Sequence, residues 1–70
     1  MTDFILAFDI PTELRIFKLQ INRRLRRMNA KMIQRSLWKH DDLKELIKIA
    51  TLIKNAGGKA IIMEEKLVFD

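Results

Sequence analysis

The sequence contains no cysteine, a single proline and only two glycines among its 70 residues. Without cysteine, neither a disulfide framework nor a thiolate metal site can stabilise the chain. A domain this short buries only about 60% of the surface that its unfolded chain exposes, so its core is marginal. We therefore expect self-association to supply part of the stability.

Long apolar runs are also missing, and none approaches the ~20 residues that a membrane-spanning helix needs. The start, Thr2-Asp3-Phe4, lacks the basic residues and the apolar block of a signal peptide. A composition of 49% hydrophobic and 33% charged residues is typical of a folded globule. The sequence predicts one domain over residues 1–70, cytoplasmic and without a membrane partner.

Acidic residues are absent from the whole stretch between Glu13 and Asp41. The same stretch holds nine of the fourteen basic residues: Arg15, Lys18, Arg23, Arg24, Arg26, Arg27, Lys31, Arg35 and Lys39. The formal net charge of +5 is thus distributed unevenly. Such one-sidedness indicates a surface for a polyanion, most often nucleic acid. The alternative is a basic face that contacts only solvent.

The first half of the chain predicts a strand followed by a helix. Residues 4–9 are a short apolar run typical of a buried strand, which Pro11 ends. Thr12 is the expected N-cap, and Asn29 the expected helix end. Apolar residues recur between them at intervals of three and four: Leu14, Phe17, Ile21, Leu25 and Met28. Away from this apolar face lie Arg15, Lys18, Asn22 and Arg26.

The second half predicts a strand over residues 31–38, a helix, and a strand over residues 60–63. Asp41 or Asp42 would cap the helix, with Asp42 and Glu45 as a capping box, and Gly57-Gly58 would end it. Its buried face is expected to comprise Leu43, Leu46, Ile47, Ala50, Ile53 and Ala56. Residues 67–69 would form a fourth strand or a C-terminal arm.

This order of elements predicts an α+β, two-layer fold in which two helices cover one face of a small sheet. The other face of the sheet would then be bare. A second copy of the chain is the expected cover for it, which predicts a homodimer.

Asp9 is the candidate catalytic and metal-binding residue, because it follows a buried strand directly. Mg²⁺ commonly takes only one or two carboxylates and keeps water and phosphate oxygens as its other ligands. The alternative is that Asp9 only ends the strand and accepts hydrogen bonds from the following turn. His40, the only histidine, is expected in a polar connection near a helix start rather than in a reaction.

Four segments together resemble a known family: Phe8-Asp-Ile-Pro, Leu14-Arg15, the basic run at 23–28 and Ile-Gln-Arg-Ser-Leu-Trp at 33–38. They are similar to the central domain of PaaX-type transcriptional repressors, a relative of the second CRISPR-associated protein family, here called Cas-two. The Cas-two pattern is an apolar strand ending in Asp, a helix starting with Leu-Arg, and a strand reading Gln-x-Ser-aliphatic-aromatic. The resemblance covers about residues 3–50.

The resemblance implies a ferredoxin-like sandwich that dimerises through its sheets, with the strand-ending Asp9 of each subunit near the dimer axis and implicated in divalent-metal binding. Nuclease activity is ascribed to some Cas-two proteins, and a structural role in spacer integration is better established. Only Lys39-His40 separate Trp38 from the second helix cap, so we expect a shortened or missing third strand. The short end after Met63 departs from the exchanged C-terminal strand of Cas-two dimers.

The leading hypothesis is a Cas-two-like homodimer that binds a DNA or RNA backbone, with weak metal-dependent nuclease activity or a scaffold role beside an integration-complex partner protein. The expected nucleic-acid contacts are Arg15, Arg23, Arg24, Arg26, Arg27, Lys31 and Arg35. The expected dimer contacts are Ser36, Trp38 and Phe69. The alternatives are a non-catalytic dimerisation module like the PaaX central domain and a toxin-like endoribonuclease.

Overall fold

A computed structural model describes residues 2–66 of the chain. Its strands are β1 (Phe4–Asp9), β2 (Lys31–Gln34), β3 (Leu37–His40) and β4 (Lys59–Glu64). Its helices are α1 (Arg15–Arg27), which follows a 3₁₀ turn at Thr12–Leu14, and α2 (Leu43–Asn55). The predicted strand or arm at residues 67–69 lies outside the described residues.

The four strands form one sheet in the order β2-β3-β1-β4, and all neighbouring strands are antiparallel. Each helix therefore connects two strands that are separated in the sheet by a third strand. Two helices packed with a fully antiparallel sheet place the protein in the α+β class. The predicted fold class is confirmed at this level.

The alternation of buried and less buried side chains along β1 shows which face of the sheet packs into the core. Leu6 lies opposite Trp38 of β3 and Ile62 of β4, so these side chains share one face. Leu6 and Trp38 are almost completely buried, at 0% and 1% exposed. Full burial of an aliphatic side chain contributes about 1.5–3 kcal/mol. The core thus forms between this face and the two helices.

The buried face of α1 agrees with the predicted periodicity. Ile21 and Leu25 are buried, while Leu14, Phe17 and Met28 pack against the core from its margins. For α2 the prediction is partly wrong. The buried residues are Leu46, Ile49, Ala50 and Ile53. Leu43 and Ile47 are 37% and 49% exposed, because they lie to one side of this i, i+3, i+4, i+7 set. Ala56 is also exposed, because it is the C-cap residue beyond the last turn.

Helix ends follow local capping chemistry in three of four cases. Asn29 adopts φ 64° after α1, and Gly57 adopts φ 97° after α2, as the left-handed C-terminal position requires. The Asp42 carboxylate accepts a hydrogen bond from the Glu45 N–H at 3.1 Å. The predicted N-cap at Thr12 is wrong: Thr12 opens the 3₁₀ turn, whose Leu14 N–H donates to the Pro11 carbonyl at 2.9 Å.

The predicted continuous strand over residues 31–38 is also wrong. The chain reverses at Arg35-Ser36, so the segment is a hairpin of β2 and β3. Ser36 takes φ 60°, a conformation that glycine or asparagine usually supplies. The third strand is therefore present in the expected shortened form, with four residues against six in β1 and β4.

The second face of the sheet carries no covering element within residues 2–66. We call its apolar residues the open face: Ile5, Ala7, Leu37, Ile61 and Met63. Ile61 and Met63 are 59% and 42% exposed. Ala7 is the register partner of both Leu37 and Ile61, and Ile5 is the register partner of Met63. All five side chains therefore lie on the side of the sheet away from the helices. The predicted bare face is thus observed.

Candidate nucleic-acid interface

One flank of α1 carries polar and cationic side chains at helical spacing. Arg15, Lys18, Asn22 and Arg26 succeed one another at intervals of three or four residues, which places them on one side of the helix. From Arg15 to Arg26 the helix rises about 16 Å at 1.5 Å per residue. The core-facing residues of α1 are elsewhere on the helix, so ligand binding along this flank leaves the core undisturbed.

The β2–β3 hairpin completes a groove beside this flank. We call it the basic groove, and its lining residues are Lys18, Asn22, Arg26, Met32, Arg35 and Ser36. The Phe8 N–H donates to the Ser36 carbonyl at 3.0 Å, which ties the turn to the end of β1. Arg35 is thereby held at the groove although nine residues of sequence separate it from Arg26.

The basic groove has cations without acidic neighbours. No Asp or Glu among the described residues lines it. The ion pairs within residues 2–66 use the cations Arg24, Lys39 and Lys48, and none uses Lys18, Arg26 or Arg35. Since no carboxylate neutralises these three cations in the described structure, their charge is available to an anion. Arginine and lysine together offer both bidentate and point-charge contacts to phosphate.

Four other predicted contacts lie away from the basic groove. Arg24 faces α2, where it donates to the Glu45 carboxylate at 3.2 Å. This hydrogen bond, with a smaller contribution from Lys48, holds the pKa of Glu45 below its ordinary value. Arg27 lines a separate depression beside Arg24, and Arg23 is exposed on α1 outside the groove.

Lys31 lies on the side of the sheet opposite to α1. It is the register partner of Lys39, which is itself paired with Ile5 of the open face. Lys31 is therefore separated from the basic groove by the thickness of the sheet. Lys18 and Asn22, in contrast, line the groove although they were not among the expected contacts. Their spacing from Arg15 and Arg26 is the sequence signal that identifies them.

Asp9 is exposed at the end of β1, and its register partner in β4 is Lys59. These two residues line a shallow depression at the edge of the open face. No group of three or more His, Cys, Asp or Glu residues that could hold a metal occurs within residues 2–66. A single described chain thus offers Asp9 as a lone carboxylate, so water, phosphate oxygens or a second copy of Asp9 would have to supply the other ligands of a Mg²⁺ ion.

The three predicted dimer contacts have different positions. Trp38 lies in the core, 1% exposed, so its side chain faces the helices and not the open face. Ser36 is half-buried at the hairpin turn and lines the basic groove. Phe69 lies outside the described residues. The open face itself supplies other apolar side chains, since a hairpin in place of one strand changes which residues point outward.

His40 has a structural role that its sequence position does not reveal. Its Nε2 lies 2.8 Å from the Met28 carbonyl oxygen, and its Nδ1 accepts a hydrogen bond from the Asp42 N–H at 2.9 Å. Nε2 therefore carries the proton of a neutral imidazole in this arrangement. The ring links the C-terminal end of α1 to the N-terminal cap of α2, and we assign it no part in a reaction.

No helix within residues 2–66 is both long enough and apolar enough to cross a membrane. Comparison of the chain with protein-family models, curated proteins and solved structures found no match in any of the three. The function proposed below therefore rests on the residues, on their geometry and on the motif resemblance described above.

Proposed function

We propose that the protein binds the phosphate backbone of nucleic acid along the flank of α1 and the basic groove. The observation that carries this proposal is the meeting of Lys18, Arg26 and Arg35 on one surface without a neutralising acid. Neutralisation of phosphates by such cations supplies affinity without sequence preference. A chain of net charge +5 would add long-range attraction to the same ligand.

The salt dependence of binding tests this proposal directly. For duplex DNA, the slope of log affinity against log salt is about −0.9 for each phosphate neutralised. The variant Arg26→Gln/Arg35→Gln should therefore flatten the slope by about 1.8. Fluorescence anisotropy with a labelled generic duplex measures it at several salt concentrations.

A matched control removes the same charge elsewhere. Lys44 and Lys54 are exposed on α2, away from the flank of α1, and neither lines the basic groove. Lys44→Gln/Lys54→Gln should leave the slope near that of the parent protein. Equal flattening in both double variants would mean that net charge, and not the groove, accounts for binding.

We also propose a ferredoxin-like homodimer that forms through the open face. The element order and the strand order β2-β3-β1-β4 support this fold. The open face groups five apolar residues, of which Ile61 is 59% exposed. Soluble monomers rarely expose large contiguous apolar surfaces, so this face is a candidate for burial against a second copy of the chain. The motif resemblance to Cas-two and PaaX-type domains points to the same assembly.

The variant Ile61→Gln tests the dimer, with Ile47→Gln on α2 as its control. Both residues are exposed aliphatics, at 59% and 49%, but only Ile61 belongs to the open face. Sedimentation equilibrium should report a dimer for the parent and the control and a monomer for Ile61→Gln. A parent protein that stays monomeric at high concentration would contradict the proposed interface.

A Mg²⁺ ion would take its carboxylate oxygens from Asp9 of one or both subunits, since no group of three or more His, Cys, Asp or Glu residues that could hold a metal occurs within residues 2–66. Asp9 lies beside Ile61 at the edge of the open face, and so it would lie at the margin of the proposed interface. Asp9→Asn separates a weak nuclease from a non-catalytic dimerisation module. Magnesium-dependent cleavage that is lost in the variant supports the nuclease, and a parent without cleavage supports the module. Cleavage of RNA alone would favour an endoribonuclease.

A further inference from the structure

The basic groove continues into a second depression of different chemistry. We call this the apolar groove, and it is lined by Pro11, Thr12, Arg15, Lys18, Leu19 and Asn22. Lys18 and Asn22 line both grooves, so the two grooves adjoin along α1, and we call them together the channel. Their volumes of about 390 and 340 Å³ lie near the lower end of the range for small-molecule sites, about 300–1,000 Å³.

The apolar groove exposes aliphatic surface beside cations. Leu19 is 54% exposed on its wall, and Pro11 lies at its end. No acidic residue of the described range 2–66 lines either half of the channel. The channel thus matches a ligand that carries a negative charge next to a flat, weakly polar group. A nucleotide unit with an unpaired base has this combination.

We propose that the channel selects single-stranded over double-stranded nucleic acid. One phosphate lies between Lys18, Arg26 and Arg35, and the adjoining base packs on Leu19 and Pro11. In a duplex the bases are stacked and paired, so they cannot enter the apolar groove, whereas bases of a single strand can be splayed out. This inference rests on the proposed backbone binding and names the form of nucleic acid bound.

An acidic peptide would also carry negative charge, but the channel favours nucleic acid. A phosphate occurs at every unit of a single strand, and the cationic flank extends about 16 Å along α1. Among residues 2–66, no aromatic residue lines the channel. The base would therefore contact aliphatic side chains, and we expect its contribution to the binding free energy to lie at the low end of the range for base stacking.

Anisotropy measurements at one fixed ionic strength test the inference with three probes. These are labelled oligothymidine, the same strand annealed to its complement, and an abasic strand of equal length. The parent protein should bind oligothymidine about fivefold or more tightly than the abasic strand, since one base contact contributes about 1 kcal/mol or more. It should also prefer the single strand to the duplex.

Leu19→Gln is the decisive variant, and Ile16→Gln is its matched control. Ile16 is 75% exposed on the same helix and does not line the channel. Leu19→Gln should bind intact and abasic strands equally, while Ile16→Gln should retain the parent's preference. Trp38 fluorescence and circular dichroism verify that both variants remain folded.

Three results would overturn the inference: equal binding of intact and abasic strands by the parent, equal effects of the two substitutions, or tighter binding of the duplex. Displacement of the strand by polyglutamate at equal charge concentration would also overturn it, because the channel would then be a general anion surface. Salt-dependent duplex binding in these cases would leave the proposed function intact. Absence of salt-dependent binding to every probe would instead remove the proposed function itself.

Discussion

Replacement of His40 by phenylalanine should destabilise the protein markedly, although His40 belongs to no proposed binding site. The imidazole accepts from the Asp42 N–H at 2.9 Å and lies 2.8 Å from the Met28 carbonyl. Met28 is the C-cap residue of α1 and Asp42 the N-cap of α2, so the ring satisfies a backbone group at one end of each helix. Phenylalanine keeps the ring but can make neither hydrogen bond.

The magnitude follows from the two lost hydrogen bonds. Each contributes about 0.5–1.5 kcal/mol net, so we expect His40→Phe to cost about 1–3 kcal/mol. For a domain of this size, a loss of 2 kcal/mol lowers the melting temperature by about 8–16 °C. The cost should not be much greater, because the His40 side chain is 17% exposed and water can reach the freed groups in part.

Urea unfolding followed by tryptophan fluorescence is the assay. Trp38 is the only tryptophan and is 1% exposed, so its emission reports on the core. The urea midpoint should fall while the slope stays unchanged. All measurements use one protein concentration, because the proposed dimer would make stability concentration-dependent. Gln34→Ala, at an exposed position of β2, is the control. A loss for His40→Phe within about 0.5 kcal/mol of this control would refute the link between the helix ends.

The remaining predictions concern an ion pair and two glycines. Arg24 lowers the pKa of Glu45, so the stabilisation by this carboxylate is complete above the ordinary pKa of glutamate and disappears as pH falls through the lowered value. Unfolding of Glu45→Gln should therefore differ from the parent at neutral pH and coincide with it in acid; a difference independent of pH would contradict the pairing. A methyl group at Gly58 would lie 2.7 Å from the Asp9 carbonyl oxygen, so Gly58→Ala should cost about 1–3 kcal/mol through steric displacement. A side chain at Gly57 would meet open space, but the backbone there has φ +97°, which asparagine tolerates better than alanine. Gly57→Asn should therefore destabilise less than Gly57→Ala. At Gly58 the cause is steric, so Gly58→Asn should be as harmful as Gly58→Ala or worse. Melting temperatures of the four variants distinguish the two causes, and equal tolerance of asparagine at both positions would refute the distinction.

The elements set by local sequence were predictable. Ile21 and Leu25 fall on a clear helical period, and their burial follows from it. Asn29 and Gly57 end their helices because each tolerates a positive φ at low cost. The bare sheet face was also predictable, since two helices can cover only one side of a small sheet.

The hairpin was not predictable from residue types, and the candidate site depended on it. Arg35-Ser36 contains neither glycine nor asparagine, the usual signals of a tight turn. The Phe8 N–H donates to the Ser36 carbonyl, so the turn is supported by a contact between residues far apart in sequence. Without the turn, Arg35 could not be placed beside Arg26, and Trp38 could not be assigned to the core face.

The role of His40 and the pairing of Arg24 escape prediction for a similar reason. His40 contacts Met28 across twelve residues, and Arg24 contacts Glu45 across twenty-one. Only the docking of α1 against α2 brings these partners together. A run such as Arg23-Arg24 thus contains one residue free to contact a ligand and one that a carboxylate already engages.

The separation of the channel from the open face has a consequence for the proposed dimer. The channel lies on the helix side of the sheet, whereas Ile61 lies on the opposite side, so a dimer formed through the open face leaves both channels exposed. Each subunit should then bind a short strand independently. Ile61→Gln, which changes no charge, should abolish the dimer yet keep the salt slope per subunit, and affinity should fall only for strands long enough to reach both channels. A slope that collapses with the dimer would mean that the partner subunit supplies cations to each site, and that the surface of α1 and the hairpin alone is not the complete interface.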